Sequence, residues 1–355
     1  MGTFLFSIAV IAYNNYNYIF ETLDSILQQD YPRIELLVSN DASLDFNADE
    51  VKRYIEKNKR FNVESFDVWQ QPENLGTVKN AEFCRKHAHG QAFYLIAADD
   101  VLADPTVVSR FAGEMNKQSE FVGVFSGHVK MCDENLENPR YNWTSGAEVK
   151  IIREGDSKRI FSKLSNRTLI PTTGTCYRMS LLERLNGYDT DYCLIEDAPL
   201  YLKLARIGAG FCWIDDFVAA KHRDGGTCHS EIDYKKTSYQ KYTKDRMRIF
   251  KKEVFPYAAR VLSIDMEPML QLWYTSRARY EKSHSDTLLH RILIRLKNTT
   301  PFIVALGIFG FSDKGCSVKA KGIAYAKIMK RWLKSIPKRY IGDLKKLVKG
   351  TACQG

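Results

Sequence analysis

The first hundred residues alternate between apolar runs of strand length and amphipathic runs of helix length. The strand-like runs occur at 4–12, 33–40, 66–71 and 93–98. Helix-like segments separate them, at 18–29, 49–59 and 77–88. Strands that alternate with helices of this length predict βαβ units and a parallel sheet, and therefore an α/β fold.

Beyond residue 120 the pattern is less regular. Strands are predicted at 121–131 and 210–215, and an amphipathic helix is predicted to begin near Glu196. A Gly-rich turn is predicted at 221–230, and the segments that follow it have helical character. The second half therefore differs in organisation from the regular strand and helix alternation of the first.

Polar side chains follow each of the four N-terminal strands. Ligands of open parallel sheets bind beyond the carboxyl ends of the strands, near the point where the strand order reverses. The four strands run into "YNN", "NDASLD", "QPENLG" and "ADD". This arrangement predicts one polar sheet edge, which carries Tyr13, Asp41, Asn74, Asp99 and Asp100.

The apolar run "FYLIAADDV" ends in two adjacent carboxylates, Asp99 and Asp100. Neighbouring carboxylates repel each other unless a cation intervenes. Mg²⁺ and Mn²⁺ bind one or two protein carboxylates together with phosphate oxygens, so a metal site is one interpretation. An ordinary solvated turn is the other.

Five further residues each have a structural and a functional interpretation. Asp41 suits an Asx turn or an acceptor for nucleobase N–H groups, and Tyr13 suits rim packing or stacking on a base. Glu196 and Asp197 begin a helix, where they suit capping or, for one of them, a general base. Arg223 beside two glycines suits a turn or a phosphate contact.

The charge of the chain is unevenly distributed. After residue 230 there are 27 Lys and Arg against 10 Asp and Glu, a net charge of +17, whereas residues 1–230 carry 25 against 32, a net charge of −7. A basic segment indicates an anionic partner, either a membrane surface or a nucleic acid. Because residues 315–350 place Trp332 and Leu333 among Lys and Arg, they predict a helix that binds an anionic membrane surface. A solvated basic face packed on the rest of the chain is the alternative.

The cysteines and the apolar runs of the sequence indicate the cellular compartment of the protein. The eight cysteines form no C-x-x-C pair and no compact Cys/His group. The sequence therefore indicates neither a zinc finger nor a disulfide framework. The N-terminal apolar run lacks a basic region and a cleavage site, and no run approaches the ~20 residues of a spanning helix. A cytoplasmic protein, peripheral on the inner face of the cell membrane, is therefore expected.

Several stretches, taken together, resemble the family 2 inverting glycosyltransferases, which have the GT-A fold. The matching segments are "SIAVIAYNNYNYIFETLDSILQQDYPRIELLVSNDASLD", "NLGTVKNAEFCRKHAHGQAFYLIAADDVL", "NGYDTDYCLIEDAPLYLKLARIG" and, more faintly, "HRDGGTCHS". The resemblance implies a GT-A catalytic domain over 1–230, with a nucleotide-binding half at 1–105 and an acceptor-binding half at 106–230. A basic, mainly helical region over 231–355 would follow it.

The resemblance also implies roles for particular residues. The family pattern places nucleotide binding at Tyr13, Asp41, Lys79, Asp99 and Arg223. Metal binding falls to Asp99 and Asp100, because position 97, often the first Asp of the family motif, is Ala here. Asn40 and Ala42 also depart from the usual "DDGS" text around Asp41. Asp197 matches the catalytic base of the "ED" motif.

The implied activity is metal-dependent inverting transfer from a nucleotide-diphospho-sugar, a UDP-sugar in the first instance, with Mn²⁺ or Mg²⁺ as cofactor. The acceptor would be a hydroxyl of a glycan or lipid-linked acceptor in bacterial surface polysaccharide synthesis. Two alternatives stay open at this point. One is a basic nucleic-acid-binding protein. Because that function would give the acidic sheet edge no role, no nucleic acid is expected as a partner. The other is a glycosyltransferase-like protein that binds nucleotide without turnover.

Overall fold

The computed structural model describes residues 3–165, 168–224 and 237–258, and the structural statements below concern these residues. Of the two units into which contacts divide the chain, Met1–His284 and Ser285–Gly355, the first contains all the described residues. Predictions for 315–350, including the membrane-binding helix, lie outside the described residues.

The N-terminal half forms the predicted parallel βαβ units. Its strands are β1 (Phe6–Ala12), β2 (Ile34–Asn40), β3 (Val63–Gln70) and β4 (Ala92–Ala97). Its helices are α1 (Ile19–Leu27), α2 (Ala48–Asn58) and α3 (Thr77–His87). Because β1 pairs in parallel with both β2 and β4, the strand order reverses beside β1. That reversal creates the crevice in which ligands of open α/β sheets bind.

Apolar residues on both faces of these strands explain why the strands appear in the sequence as continuous hydrophobic runs. Every residue of β2 is buried, as are all but one in β1 and in β4. Parallel strands covered by helices on both faces have this composition. Side chains from β1, such as Ile8 and Val10, share one core with Leu23 of α1 and Ile55 of α2. This packing holds the carboxyl ends of β1, β2 and β4 in fixed positions.

The second half contributes the remaining elements. Its strands are β5 (Val101–Leu102), β6 (Val122–Cys132), β7 (Tyr141–Asn142), β8 (Thr175–Arg178) and β9 (Gly210–Arg223). Its helices are α4 (Val107–Lys117), α5 (Gly146–Glu154), α6 (Ser157–Leu164), α7 (Met179–Arg184), α8 (Asp197–Arg206), α9 (Thr237–Ile249) and α10 (Phe255–Ala258). Short 3₁₀ turns occur at Tyr16–Tyr18 and Thr172–Gly174, and a π-helical turn at Phe250–Val254 joins α9 to α10.

The complete sheet has the order β3-β2-β1-β4-β8-β6-β9-β5, with β7 paired to β6. The expected parallel character holds for β1 to β4 and for the β6–β9 pair, whereas β8 is antiparallel to both of its neighbours and β5 is antiparallel to β9. Antiparallel pairs need no helical crossover, which agrees with the less regular sequence pattern after residue 120. The sheet is therefore mixed, with helices on its faces.

The last strand is longer than the sequence pattern predicts. Residues 221–223 were expected in a Gly-rich turn, but they continue β9, in register with Lys130 to Cys132 at the end of β6. Pairing with a long neighbouring strand outweighs the local turn signal here. As a result, His222 and Arg223 lie on the sheet, beside the end of β4.

Helix α9 and the π-helical turn after it contact the segment that surrounds the start of α8. Arg206 at the end of α8 donates to the carboxylate of Glu253 at 2.7 Å, and both side chains are largely buried. Lys252 bonds Asp189 at 2.7 Å. The helical character expected after residue 231 is confirmed for 237–258. None of the described helices is both long enough and apolar enough to cross a membrane.

Candidate active site

Asp41 lies at the carboxyl end of β2 and is 4% exposed. Its backbone N–H donates to the Ala12 carbonyl at 2.8 Å, which joins the ends of β1 and β2. Its carboxylate accepts the N–H groups of Leu75 at 2.6 Å and Gly76 at 2.9 Å. Burial raises the pKa of Asp41, while these two N–H groups and the charge of Lys241 lower it. Asp41 thus fixes the turn that begins α3.

Tyr13 follows β1, and its side chain is 51% exposed. The next residue, Asn14, donates its N–H to Ser43 Oγ at 2.8 Å, so the loops after β1 and β2 are bonded to each other. Lys79 lies in the first turn of α3, exposed and three residues after Gly76. The structure therefore brings Tyr13 and Asp41 to neighbouring strand ends and places Lys79 on the helix whose start Asp41 holds.

Asp100 points into the protein. It is 1% exposed, and its carboxylate lies 2.9 Å from Nδ1 of His222 and accepts the Arg223 N–H at 3.3 Å. Its carbonyl accepts the Thr22 hydroxyl at 2.7 Å. Asp100 consequently joins the end of β4 to the end of β9. Metal binding by Asp100 stays a prediction, because the carboxylate is already bonded on its inner side.

Asp99 is the more accessible carboxylate of the pair. Burial and the charge of Asp100 raise the pKa of Asp99 to about 6, while His222 and Arg223 lower it. A nearby cation would favour its charged form.

The described residues include no group of three or more His, Cys, Asp or Glu that could hold a metal ion alone. Mg²⁺ and Mn²⁺ also bind through one or two protein carboxylates completed by phosphate oxygens, which is the mode predicted for Asp99 and Asp100. Asp99 is the residue that fits this mode best.

Arg223 is 3% exposed, and protein acceptors surround its guanidinium. Nε donates to the Asp99 carbonyl at 3.2 Å, one terminal nitrogen donates to the Glu134 carbonyl, and the other donates to the Glu21 carboxylate at 2.6 Å. The guanidinium carbon lies 4.1 Å from the ring centroid of Tyr18. These contacts make Arg223 a support for the Asp99 backbone, and its contact with a phosphate stays a prediction.

Glu196 and Asp197 begin α8, where both are partly exposed at the surface. Burial raises the pKa of Asp197 to about 6, and the Ala198 N–H, Arg246 and Thr168 lower it. The Ala198 N–H donates to the Asp197 carboxylate at 2.6 Å. A raised pKa brings the ionisation of Asp197 closer to neutral pH, which suits a general base.

Glu196 differs from its neighbour in its contacts. Burial and the charge of Asp197 raise the pKa of Glu196 to about 7, and its carboxylate accepts the Thr172 hydroxyl at 2.7 Å. Through this bond Glu196 holds the Thr172–Gly174 turn, whereas Asp197 accepts the Ala198 N–H of its own helix.

Sequence reasoning did not assign roles to several residues that the structure brings to the site. His222 supports Asp100, Glu21 pairs with Arg223, and Thr172 bonds Glu196. The position of His222 next to Arg223 was the one available signal. Glu21 and Thr172 lie far from their partners in sequence, and neither belongs to a motif.

A comparison with protein families matches residues 7–185 to the family described as glycosyl transferase family 2. The match covers half of the chain. The chain belongs to glycosyl transferase family 2.

Relatives and solved structures agree with this family. A glycosyltransferase of Nostoc is 24% identical over 288 residues, which are 79% of this chain and 84% of the relative. The structure of TarS of S. aureus is similar over 79% of this chain and 49% of its own, with 18% identity and a TM-score of 0.54. The structure of TarS 1–349 with UDP-GlcNAc has a TM-score of 0.50. Mannosyltransferase PcManGT of Pyrobaculum calidifontis, solved with GDP-Man and Mn²⁺, is 19% identical over 92% of this chain and 87% of its own, with a TM-score of 0.50. The fold is that of the GT-A glycosyltransferases.

The residues matched to glycosyl transferase family 2 include only part of the candidate site. Tyr13, Asp41, Lys79 and the Asp99–Asp100 pair lie within 7–185. Asp197, at the start of α8, and Arg223, at the end of β9, lie beyond it. The family match therefore covers the predicted nucleotide-binding residues other than Arg223, and it does not cover the predicted base, Asp197.

Proposed function

We propose that this glycosyltransferase moves a sugar from a nucleotide-diphospho-sugar, in the first instance a UDP-sugar, to a hydroxyl of a glycan or lipid-linked acceptor, with inversion at the anomeric carbon. The observation that carries the proposal is the position of Asp197, a partly buried carboxylate that is the first residue of α8 and whose pKa is raised by burial. The strand-end residues Tyr13, Asp41 and Asp99 support a nucleotide-binding role for the same sheet edge.

In the proposed donor pocket, Tyr13 stacks on the nucleobase. Asp41, at the neighbouring strand end, lies next to that base. Base stacking suits an exposed aromatic ring at a strand end. Lys79, exposed in the first turn of α3, supplies positive charge near the phosphates, in the same region as the helix N-terminus, which itself favours anions. The relatives solved with UDP-GlcNAc and with GDP-Man support a nucleotide sugar as donor and leave its base open.

The chemical step needs one base. Asp197 accepts the proton of the acceptor hydroxyl as that oxygen attacks the anomeric carbon, and the nucleoside diphosphate leaves from the opposite face. A general base with a pKa near the working pH is most effective. A single displacement of this kind inverts the configuration, whereas retention through a double displacement would need a second carboxylate as nucleophile.

Asp99, with Asp100 behind it, would hold a Mn²⁺ or Mg²⁺ ion that, when bound, neutralises charge on the departing diphosphate. The Mn²⁺ in the PcManGT structure supports this cofactor. Asp100 and Arg223 contribute by fixing the Asp99 backbone between β4 and β9. Surface polysaccharide synthesis at the inner face of the membrane is the proposed setting, on the evidence of the basic residues 315–350 in the sequence.

The proposal is tested with a panel of nucleotide sugars and acceptors, assayed for Mn²⁺-dependent release of nucleoside diphosphate and for thermal stabilisation. We expect Asp197→Asn to abolish transfer while nucleotide binding survives, because the amide cannot accept the proton. Asp67→Asn, the same change at an exposed position of β3, serves as the control and should retain full activity.

Two outcomes would contradict the proposal. Full transfer by Asp197→Asn would remove Asp197 from the reaction. Mn²⁺-dependent nucleotide binding without sugar release from any donor or acceptor offered would indicate a nucleotide-binding protein without turnover.

A further inference from the structure

Helix α9 contributes a buried carboxylate to the segment that precedes Asp197. Asp245 on α9 is 3% exposed. Its Oδ2 accepts three consecutive backbone N–H groups, from Cys193 at 2.8 Å, Leu194 at 2.7 Å and Ile195 at 3.3 Å. Residues 193–197 are called the base loop below. One side chain, about fifty residues away in sequence, thus holds three of the five residues of that loop.

Three N–H groups converging on one carboxylate oxygen form a strong contact. Successive backbone N–H groups make an anion-binding concavity, and hydrogen bonds to a charged acceptor are roughly twice as strong as neutral ones. Because Asp245 is buried, water competes little for these bonds. The contact therefore sets the backbone path of the base loop immediately before Glu196 and Asp197.

The opposite side of the base loop contacts the start of α3. The Cys193 carbonyl accepts the Val78 N–H at 3.2 Å. A β-carbon at Gly76 would lie 2.8 Å from the same carbonyl oxygen, which shows how closely the two segments approach. Gly76 in turn donates its N–H to Asp41. Hydrogen bonds and packing thus connect Asp245, the base loop, the start of α3 and Asp41.

Other residues of α9 and of the turn after it face the same region. The positive charges of Lys241 and Arg246 lower the pKa of Asp41 and of Asp197 respectively, so α9 passes near both carboxylates. Beyond α9, the Tyr192 hydroxyl bonds Glu253 at 3.3 Å just before the base loop. The loop is therefore held by contacts from α9, from the π-helical turn and from α3.

We propose that Asp245 is a positioning residue for the base loop: it fixes the backbone that presents Asp197 to the acceptor hydroxyl and keeps that backbone in register with the donor-binding turn at the start of α3. The inference rests on the proposed function, since it assigns Asp197 as the base. Asp245 itself touches backbone N–H groups of the protein and acts on the reaction through them.

The test uses the full chain with Asp245→Ala, Asp245→Asn and, as a matched control on an exposed position of the same helix, Lys244→Gln. Misplacement of a reacting group by about 1 Å costs about 100-fold in rate, so we expect kcat to fall about 10- to 100-fold in Asp245→Ala. The KM for the donor should change by less than about threefold, because the groups that contact the donor remain. Asp245→Asn keeps an oxygen in place and should lose less activity. Lys244→Gln should behave like the parent.

Hydrogen exchange supplies a second measurement that does not depend on turnover. The amides of residues 193–195 should exchange about tenfold faster or more in Asp245→Ala, while amides in β1 and β4 keep their protection. If Asp245→Ala does not fold, Asp245→Asn provides both measurements. The inference would be overturned if the variant measured, Asp245→Ala or else Asp245→Asn, showed unchanged amide exchange at 193–195 or a kcat within about twofold of the parent.

Failure of the inference and failure of the proposed function give different results. If Asp197→Asn abolishes transfer but the Asp245 variants retain kcat, only the positioning role is wrong. If Asp197→Asn keeps full activity, the assignment of the base is wrong, and the positioning role for the reaction is overturned with it, even where exchange shows that Asp245 holds the loop.

Discussion

Adjacent residues at this site have different environments, and those environments separate their roles. Asp99 and Asp100 follow the same strand, yet Asp100 is buried against His222 while Asp99 keeps an accessible carboxylate. Glu196 and Asp197 begin the same helix, yet Glu196 holds Thr172. Asp100 and Glu196 each bond a segment that is distant in the chain, whereas Asp99 and Asp197 are the carboxylates proposed to act on ligand and substrate.

The pH dependence of transfer should report the ionisation of Asp197. Because the base works deprotonated and burial raises the pKa of Asp197 to about 6, kcat should be level above that pH and fall about tenfold per pH unit below it. Arg246→Gln removes a positive charge that favours the carboxylate, so it should move the acidic limb to higher pH. Initial rates under saturating donor and acceptor measure both. A rate that stays level well below pH 6 would contradict the assignment.

Ala42 occupies a backbone conformation that favours glycine. Its φ is +62°, in the left-handed region, where a β-carbon is strained. Ala42→Gly should therefore raise the free energy of unfolding by about 0.5–1 kcal/mol, after the greater chain entropy of glycine is subtracted. Urea unfolding measures the change. Ala112→Gly, inside α4, is the control and should lower stability by about 1–2 kcal/mol, because glycine has a lower helix propensity and a buried methyl group is lost.

At the scale of elements, the start of α3 connects Asp41 with the base loop. Asp41 of β2 holds the turn before the helix, and the base loop packs against that turn. Neither contact is local in sequence. The site therefore depends on how β2, α3 and α9 pack together, in addition to the individual strand ends.

Gly76→Ala tests this connection. Gly76 has φ of +84°, and an added β-carbon would meet the Cys193 carbonyl oxygen at 2.8 Å and its Sγ at 2.9 Å. The variant should lose about 1–3 kcal/mol of stability and should also lower kcat, because the base loop must shift. Urea unfolding and initial rates measure the two effects.

Gly113 of α4 is the matched control for Gly76. An added β-carbon there meets nothing within 4 Å, and the position is helical. Gly113→Ala should raise stability by up to about 1 kcal/mol and leave kcat unchanged. If the two variants behaved alike, the close approach of α3 to the base loop would have no consequence for the enzyme.

For the whole molecule, charge separates two parts of the chain. Residues 1–230 are acidic overall and contain the candidate site, whereas the residues after 230 carry a net charge of +17. The residues matched to glycosyl transferase family 2, 7–185, lie within the first part. The proposed membrane contact of residues 315–350 rests on the sequence pattern of basic and apolar residues.

Binding to vesicles tests that contact. The full chain should pellet with anionic phospholipid vesicles, and the double substitution Trp332→Ala and Leu333→Ala should weaken binding about tenfold or more, because two large apolar side chains are removed. Phe121→Ala, at an exposed aromatic position of the catalytic part, is the control and should bind like the parent. Equal binding by all three proteins would contradict the proposed membrane helix.

Most of the N-terminal half was predictable from sequence because its signals are local. Continuous apolar runs identified β1, β2 and β4, and helical spacing identified α1 and α3, to within a few residues. The prediction that the polar residues after these strands share one edge of the sheet followed from the rule that ligands bind beyond the carboxyl ends of parallel strands. The sequence prediction placed the end of β9 wrongly. The pairing of this strand with β6 is a long-range contact, which a local turn pattern does not reveal.

The sequence by itself determined the fold class, the strand ends that carry Tyr13, Asp41 and Asp99, and the resemblance that predicts Asp197 as the base. These features depend on hydrophobic periodicity and on motifs that are contiguous in the chain. Only the tertiary structure decided that Asp100 and Arg223 face protein partners, and that Asp245 holds the base loop from about fifty residues away. The physical reason is that burial and hydrogen-bond partners are set by packing between distant segments, and packing decides which of several carboxylates remains available for chemistry.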